Sequence, residues 1–130
     1  MKQVVYLITL VAVLTLSGCK KTIPVRDFNS MPISGAHSEK STVKSVETAI
    51  LQACLSLGWK TRVVKQGEIE ATLNIRKHQL VVSITHDNKE YSIKYKDSVN
   101  LLYDGKKIHR QYGNWTRNLM NSISAFSLSN

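Results

Sequence analysis

The apolar residues of this chain repeat with two different periods, and the order of those periods limits the folds that the chain can form. Between residues 43 and 57 they recur every three or four positions, the period of one helix face. Between residues 59 and 95 they recur at every second position, the period of strands with one buried face. Between residues 108 and 126 the helical period returns. The sequence therefore predicts an α+β fold that contains a helix, a run of strands and a second helix.

Capping residues mark the ends of the first predicted helix. Ser41 or Thr42 can cap its start, and Gly58 follows its last apolar position, where a C-terminal glycine is expected. In the second predicted helix Gly113 weakens the first turns by up to about 1 kcal/mol relative to alanine. We therefore expect that helix to begin near Gln111 rather than at the first apolar position of its face, Ile108.

Turn signals divide the central region into strands. Glycine or asparagine turns at Gln66-Gly67 and Asp87-Asn88 separate runs in which apolar and polar residues alternate. The clearest run places Ile69, Ala71 and Leu73 on one face, and Trp59, Thr61 and Val63 alternate in the run before it. We predict a four-stranded antiparallel meander with both helices on its apolar face, because one face of the sheet must be covered to form a core. The opposite face is left to solvent.

The N-terminal residues form a short apolar segment behind a single charge. Lys2 is followed by 13 uncharged residues, Val4 to Leu16, and then by the small residues Ser17 and Gly18. This run is shorter than the roughly 20 residues that a membrane-spanning helix needs. Its length is typical of the apolar region of a signal peptide. We therefore assign residues 1–18 to a cleaved signal.

The sequence Leu16-Ser17-Gly18-Cys19 resembles the lipobox of bacterial lipoproteins. The resemblance implies cleavage before Cys19, diacylation of its thiol and acylation, for example by palmitate, of the new amino terminus. Lys20 stands where an aspartate retains many such lipoproteins in the inner membrane. The resemblance therefore predicts a lipoprotein anchored through Cys19 to the outer membrane, with its domain in the periplasm.

Residues 19–40 contain two prolines, Pro24 and Pro32, and show no sustained periodicity. We interpret them as a flexible tether, which could extend by about 3.3 Å per residue and hold the domain several tens of ångströms from the membrane. Apolar residues within this segment, among them Phe28 and Met31, leave open that part of it docks on the domain. Residues 41–127 are then a single domain.

The chain is strongly basic. Its 18 lysines and arginines exceed its 9 aspartates and glutamates, and residues 1–18 account for just one of these charges, Lys2. Such a balance favours an acidic partner, although solvation of a small surface is the alternative. Location in the cell envelope favours anionic lipid, lipopolysaccharide, peptidoglycan carboxylates or an acidic protein over nucleic acid as that partner. We expect the solvent face of the sheet to supply the contacts, through Lys60, Arg62, Lys94 and Lys96.

A second candidate site follows the last predicted strand. Polar and aromatic side chains concentrate there, at Ser98, Asn100, Tyr103, His109, Tyr112 and Trp115. They could line a groove for a small ligand or a peptidoglycan fragment, because aromatic faces beside amides and hydroxyls suit such ligands. They could instead be structural, with polar groups that fix the connection and orient the helix start.

Residue patterns that indicate catalysis are missing from the sequence. His78, His86 and His109 have no ligand-like spacing with one another or with aspartates, so we expect neither a metal nor another cofactor. Cys54 lies on the apolar helix face and is expected to be a buried, inert thiol. We predict a protein that is not an enzyme. Self-association through a sheet edge is a further alternative.

The C-terminal half carries a second resemblance, in four runs. The runs are residues 67–73, 76–78, 91–101 and 108–119, and the specific elements are Asp97-Ser98-x-Asn100-Leu101 and Ile108-His109-x-x-Tyr112-x-x-Trp115. They resemble a family of small, uncharacterised exported proteins and lipoproteins of Gram-negative bacteria. The resemblance implies the same helix, four-strand, helix domain and an envelope setting, and it brings no activity or catalytic residues.

Overall fold

The computed structural model describes residues 21–35 and 40–129. Over these residues the chain forms two helices and seven strands. In chain order the elements are β1 (Thr22–Pro24), β2 (Phe28–Pro32), α1 (Val43–Ser56), β3 (Lys60–Lys65), β4 (Glu68–Ile75), β5 (His78–His86), β6 (Glu90–Val99), β7 (Lys107–His109) and α2 (Gln111–Ser129). The α+β class predicted from the sequence is confirmed.

The main sheet has five strands in the order β2-β6-β5-β4-β3. Strands β3 to β6 pair antiparallel with their sequence neighbours, as the turn signals predicted, and Leu73 faces Leu80 across the β4–β5 pair. The prediction of four strands is wrong in number, because β2 adds a fifth strand beside β6 and because β1 and β7 form a separate two-stranded sheet.

The segment before α1 belongs to the folded domain. Residues 22–24 pair with β7 and residues 28–32 pair with β6, so the tether expected over residues 19–40 is not a tether in this part. The regular alternation of a strand is broken here by a shift of register between Phe28 and Met31, where Ser30 adopts a φ of 52°. Because of that irregularity, the residues of β2 do not show the period of two that is typical of a strand.

Local hydrogen bonds set the ends of both helices. Thr42 caps α1 by accepting from the backbone of Ser45, whose hydroxyl in turn accepts from the backbone of Thr42. After α1, Gly58 takes a φ of 84°, a conformation that glycine adopts without steric cost. The second helix begins at Gln111, as predicted, whereas Ile108 lies fully buried in β7.

One hydrophobic core joins the two helices to one side of the main sheet. It contains Ile50 and Cys54 from α1 and Leu119 and Ile123 from α2. The alternating inward residues of β4, β5 and β6 complete it, namely Ile69, Ala71, Leu73, Leu80, Val82, Ile84, Tyr91 and Ile93. Trp59, directly before β3, is buried with them, but the whole of the edge strand β3 is exposed, including Thr61 and Val63. The expected burial of alternate residues along β3 therefore stops at Trp59. No helix within residues 21–35 and 40–129 has the length and apolar character needed to cross a membrane.

Candidate functional site

The centre of the basic sheet face is a shared ion pair. Glu70 on β4 lies opposite Arg62 on β3, and its Oε2 accepts a hydrogen bond from Arg62 Nη2 over 3.1 Å. The same oxygen accepts from Nζ of Lys96, which reaches across β5 from β6. The hydrogen bond from Lys96 and the attraction of Arg62 lower the pKa of Glu70, so this carboxyl is ionised at neutral pH.

The other two predicted contact residues lie beside this ion pair without a partner of their own. Lys60 pairs in register with Thr72, and Lys94 with Ser83, so both stand on the face that carries Glu70. Both side chains are exposed, and neither forms an ion pair with a carboxylate among the described residues. The sheet face therefore brings the four predicted cations together, but two of them, Arg62 and Lys96, are ion-paired with the carboxylate of Glu70.

The polar groups of the second candidate site are bonded within the protein. The Ser98 hydroxyl lies 2.8 Å from the hydroxyl of Tyr95, and Asn100 Nδ2 donates to the carbonyl of Lys77 over 2.8 Å. Asn100 has a φ of 57°, a left-handed conformation that asparagine tolerates better than most residues. Asn100 therefore holds the connection after β6 against the β4–β5 turn, whereas Ser98 is bonded within β6.

His109 and Tyr112 hold the start of α2. His109 Nδ1 accepts from the backbone N–H of Gln111 over 3.1 Å, which satisfies one of the free donors at the helix start. The Tyr112 ring is buried, and its hydroxyl donates to the carbonyl of Arg26 over 2.6 Å. Trp115, one turn further, is half-buried and packs against the core.

The six residues predicted to line one ligand groove do not meet in one cavity. Ser98 and Asn100 line a cavity of about 670 Å³ with Tyr95 and Tyr103. His109 and Trp115 line a separate cavity of about 330 Å³, together with Ile75, Arg76, His78, Leu101 and Gln111. Tyr112 lines a third, of about 280 Å³. A single binding groove made by all six is therefore not present among the described residues.

The cavity beside Trp115 holds two histidines in defined tautomers. The His78 and His109 rings stack with their centres 6.5 Å apart. His78 Nδ1 lies 2.7 Å from the carbonyl of Asn100 and must carry the proton, whereas His109 Nδ1 accepts from Gln111. In their neutral forms His78 Nε2 is thus an acceptor and His109 Nε2 a donor. This arrangement suits an uncharged polar ligand, and it disfavours a metal because His109 Nε2 has no lone pair to offer.

The cavity beside Tyr112 was missed by the sequence analysis. It is lined by apolar residues of β1, β2 and α2 and by two arginines, Arg26 and Arg117. Gly113 also lines it, and a Cβ at this position would lie 3.1 Å from Cδ1 of Ile23, so the glycine allows β1 to approach α2 closely. The first strands carry no periodic signal, and the sequence could not place Arg26 beside Arg117.

The remaining candidates for chemistry lie apart from these cavities. Cys54 is fully buried in α1, and burial raises the pKa of its thiol to about 12, which keeps it protonated at neutral pH. Within the part of the chain that the structure describes, histidines, cysteines and carboxylates form no group of three that could hold a metal ion. Asp87 and Asp104 each cap a turn by accepting from backbone N–H groups.

The predicted lipid anchor, Cys19, lies outside the described residues. Comparison of the chain with protein-family models, with curated proteins and with solved structures finds no match.

Proposed function

We propose that this chain is a periplasmic lipoprotein, anchored by acylated Cys19 to the outer membrane, that binds an acidic envelope component through the basic face of its sheet. The protein acts as an accessory or interaction module and not as an enzyme. The acidic component is lipopolysaccharide, a peptidoglycan carboxylate or an acidic protein, because the proposed periplasmic location separates the protein from nucleic acid.

This proposal rests on the exposed positive charge of the sheet face. The helices pack on the opposite side, and Lys60 and Lys94 stand exposed on either side of the Glu70 ion pair without a carboxylate partner among the described residues. Four cations and one carboxylate give this patch a net charge of +3. An acidic ligand would approach two free lysines and could also recruit Arg62 and Lys96 from Glu70.

A role without catalysis is supported by the state of the nucleophilic and basic groups. The thiol of Cys54 is buried and protonated, and the Nδ1 atoms of His78 and His109 are engaged with backbone groups. Among the described residues, none of these side chains is hydrogen-bonded to a second side chain that could activate it as a nucleophile.

The anchor is tested with Cys19→Ala in the full chain. We expect the variant to leave the membrane fraction or to accumulate as an unprocessed precursor, and to lose incorporation of labelled palmitate. A processed, palmitate-labelled protein that still sediments with membranes despite the substitution would contradict the anchor.

The binding face is tested with Lys60→Glu/Lys94→Glu. We expect the variant to lose most of its sedimentation with peptidoglycan sacculi or its retention on lipopolysaccharide, and the wild-type signal to fall as salt is raised. The control is Lys44→Glu/Lys89→Glu, which makes the same charge change at exposed positions outside the sheet face. Equal binding by the wild type and by both variants would show that the sheet face is not the contact.

A second candidate function is a small-ligand or peptidoglycan-fragment module at the cavity beside Trp115. It is favoured by the stacked histidines, whose Nε2 atoms offer one acceptor and one donor beside an indole ring. Calorimetric titration with a soluble muropeptide tests it, with Trp115→Phe as the control that keeps an aromatic ring. No heat of binding in the wild type would exclude this ligand class.

A further inference from the structure

The fold begins almost immediately after the proposed lipid anchor. The carbonyl of Lys21 accepts a hydrogen bond of 2.9 Å from the backbone N–H of Arg110, so residue 21 is already fixed to the start of α2. Lys20 alone separates it from Cys19. Two residues of extended chain span about 7 Å at most. An acylated Cys19 would therefore hold this end of the domain at the membrane surface.

The end of the domain that contains Lys21 is strongly basic. Its exposed cations are Lys21, Arg76, Lys77, Lys106, Lys107 and Arg110. Backbone bonds bring several of them together, because Lys106 accepts from Val25 and because Lys107 pairs with Pro24 in the β1–β7 sheet. Lys77 and Arg76 join the same end, since Asn100 donates to the Lys77 carbonyl and Arg76 lines a cavity with His109 and Gln111. We call these six residues the anchor-end cluster.

The cations of the anchor-end cluster outnumber the carboxylates near them. None of its six side chains forms an ion pair with a carboxylate among the described residues, whereas Arg62, Lys65 and Lys96 on the sheet do. In the described part of the chain the acidic neighbours are Asp104, Asp27 and Asp97, each of which accepts at least one backbone N–H group at Oδ1, so six cations stand against three carboxylates at this end. Along β1 and β7 the rise of about 3.4 Å per residue places Lys106 roughly 14 Å from Lys21, nearly two Debye lengths of about 8 Å at physiological salt, so the two charges repel each other only weakly.

Two large side chains in the loop before β7 complete this end. Leu102 is 59% exposed and Tyr103 is 43% exposed, and both are close in sequence to Lys106 and Lys107. The ring of Tyr103 is supported by the ring of Tyr95, with their centres 4.3 Å apart. Exposed tyrosine and leucine next to lysines are suited to the boundary between headgroups and acyl chains, where Tyr is enriched.

From the short link, the anchor-end cluster and the exposed pair Leu102 and Tyr103, we infer that the domain rests with this end on anionic phospholipid headgroups in one fixed orientation. This inference depends on the proposed acylation of Cys19. The anchor-end cluster then contacts lipid phosphates. The sheet face extends away from this end along the strands and stays open to a soluble or surface-bound acidic partner.

The orientation can be measured by lipid quenching of a single fluorophore on the acylated full-length protein. An introduced cysteine is the only reactive thiol, because Cys19 is acylated and Cys54 is buried with a pKa of about 12. Leu102→Cys places the label at the proposed contact, and Lys89→Cys places it at the β5–β6 turn at the opposite end of the strands. The vesicles contain phosphatidylglycerol and phosphatidylethanolamine with a headgroup-attached quencher, and a second set contains phosphatidylcholine alone.

We expect at least threefold stronger quenching at position 102 than at position 89 in the anionic vesicles, and a smaller difference in phosphatidylcholine or at high salt. Lys106→Glu/Lys107→Glu should remove the difference, and the charge-matched control Lys60→Glu/Lys94→Glu should retain it. Equal quenching at both positions in attached protein would overturn the orientation while leaving the anchor intact. Mass spectrometry that finds Cys19 without acyl chains would overturn the anchor and the orientation together.

Discussion

The hydroxyl of Tyr112 and the carbonyl of Arg26 are joined by a hydrogen bond of 2.6 Å that connects α2 to the link between β1 and β2. The two residues are 86 positions apart in the chain. Because the Tyr112 ring is buried, this contact fixes the N-terminal strands to the core from inside the domain.

Removal of this hydrogen bond should loosen the N-terminal strands. We expect Tyr112→Phe to lower the free energy of unfolding by about 0.5–1.5 kcal/mol, because the ring stays in the core while the Arg26 carbonyl loses its donor. Chemical denaturation followed by circular dichroism measures the change. Tyr103→Phe, at a partly exposed ring, is the control and should change stability by less than about 0.5 kcal/mol.

The role of His109 can be separated from a role in ligand binding. His109→Ala should destabilise the domain by about 1 kcal/mol, because the Gln111 N–H loses its acceptor at the start of α2. His109→Asn keeps a side-chain acceptor and should recover part of the loss. An unchanged melting temperature for His109→Ala would instead indicate that the side chain is kept for a ligand.

Cys54 should respond to alkaline pH with a defined sign. Burial raises its pKa from 9.0 to about 12 in the folded state, so its contribution to stability is fully present below pH 9 and is lost as the pH rises towards 12. Cys54→Ala should remove this part of the alkaline decline and leave the part due to Tyr91 and Tyr112, whose pKa values are also raised by burial. At pH 8 a thiol reagent should leave the native domain unmodified and label it completely in guanidinium chloride, and rapid labelling of the native domain would contradict the burial.

Glu70 should respond to acid with the opposite sign. Its pKa is lowered in the fold, so the stability that it contributes is present above the ordinary carboxyl value of 4.5 and is lost as the pH falls through the lower folded value. Glu70→Gln should therefore reduce the loss of stability below pH 4.5. It should also release Arg62 and Lys96 and strengthen retention on an acidic polymer more than Glu68→Gln does.

The long periodic elements could be predicted from the sequence because each carries its own pattern. The spacing of Val46, Ile50 and Cys54 reports the buried face of α1, and the alternation of Ile69, Ala71 and Leu73 reports that of β4. Each of these elements buries one face against the core, so its apolar residues recur with the period of the helix or the strand.

The short strands could not be predicted, for reasons that are local and physical. Strands β1 and β7 have three residues each, too few to show a period. In β2 the register shift beside Ser30 displaces Met31 from the alternation begun at Phe28. These strands exist because of pairing with distant residues, which no local pattern reports.

For the same reason, only part of the candidate site could be predicted from the sequence. The cations of the sheet face followed from the strand period, but the sequence did not show that Glu70 occupies Arg62 and Lys96. The anchor-end cluster could not be foreseen at all, since it forms when β1 lies beside β7.

The pairing of β1 with β7 also has a consequence for the order of folding. Thr22 finds its partner, His109, nearly a whole domain length later, and such long loops close late because their closure entropy opposes pairing until other contacts form. We therefore expect the meander and helices to assemble first and the N-terminal strands to join them last. An intermediate in which β1 has not yet paired with β7 would be joined to its anchor by the unpaired residues before β2, and its domain would turn freely at the end of that segment.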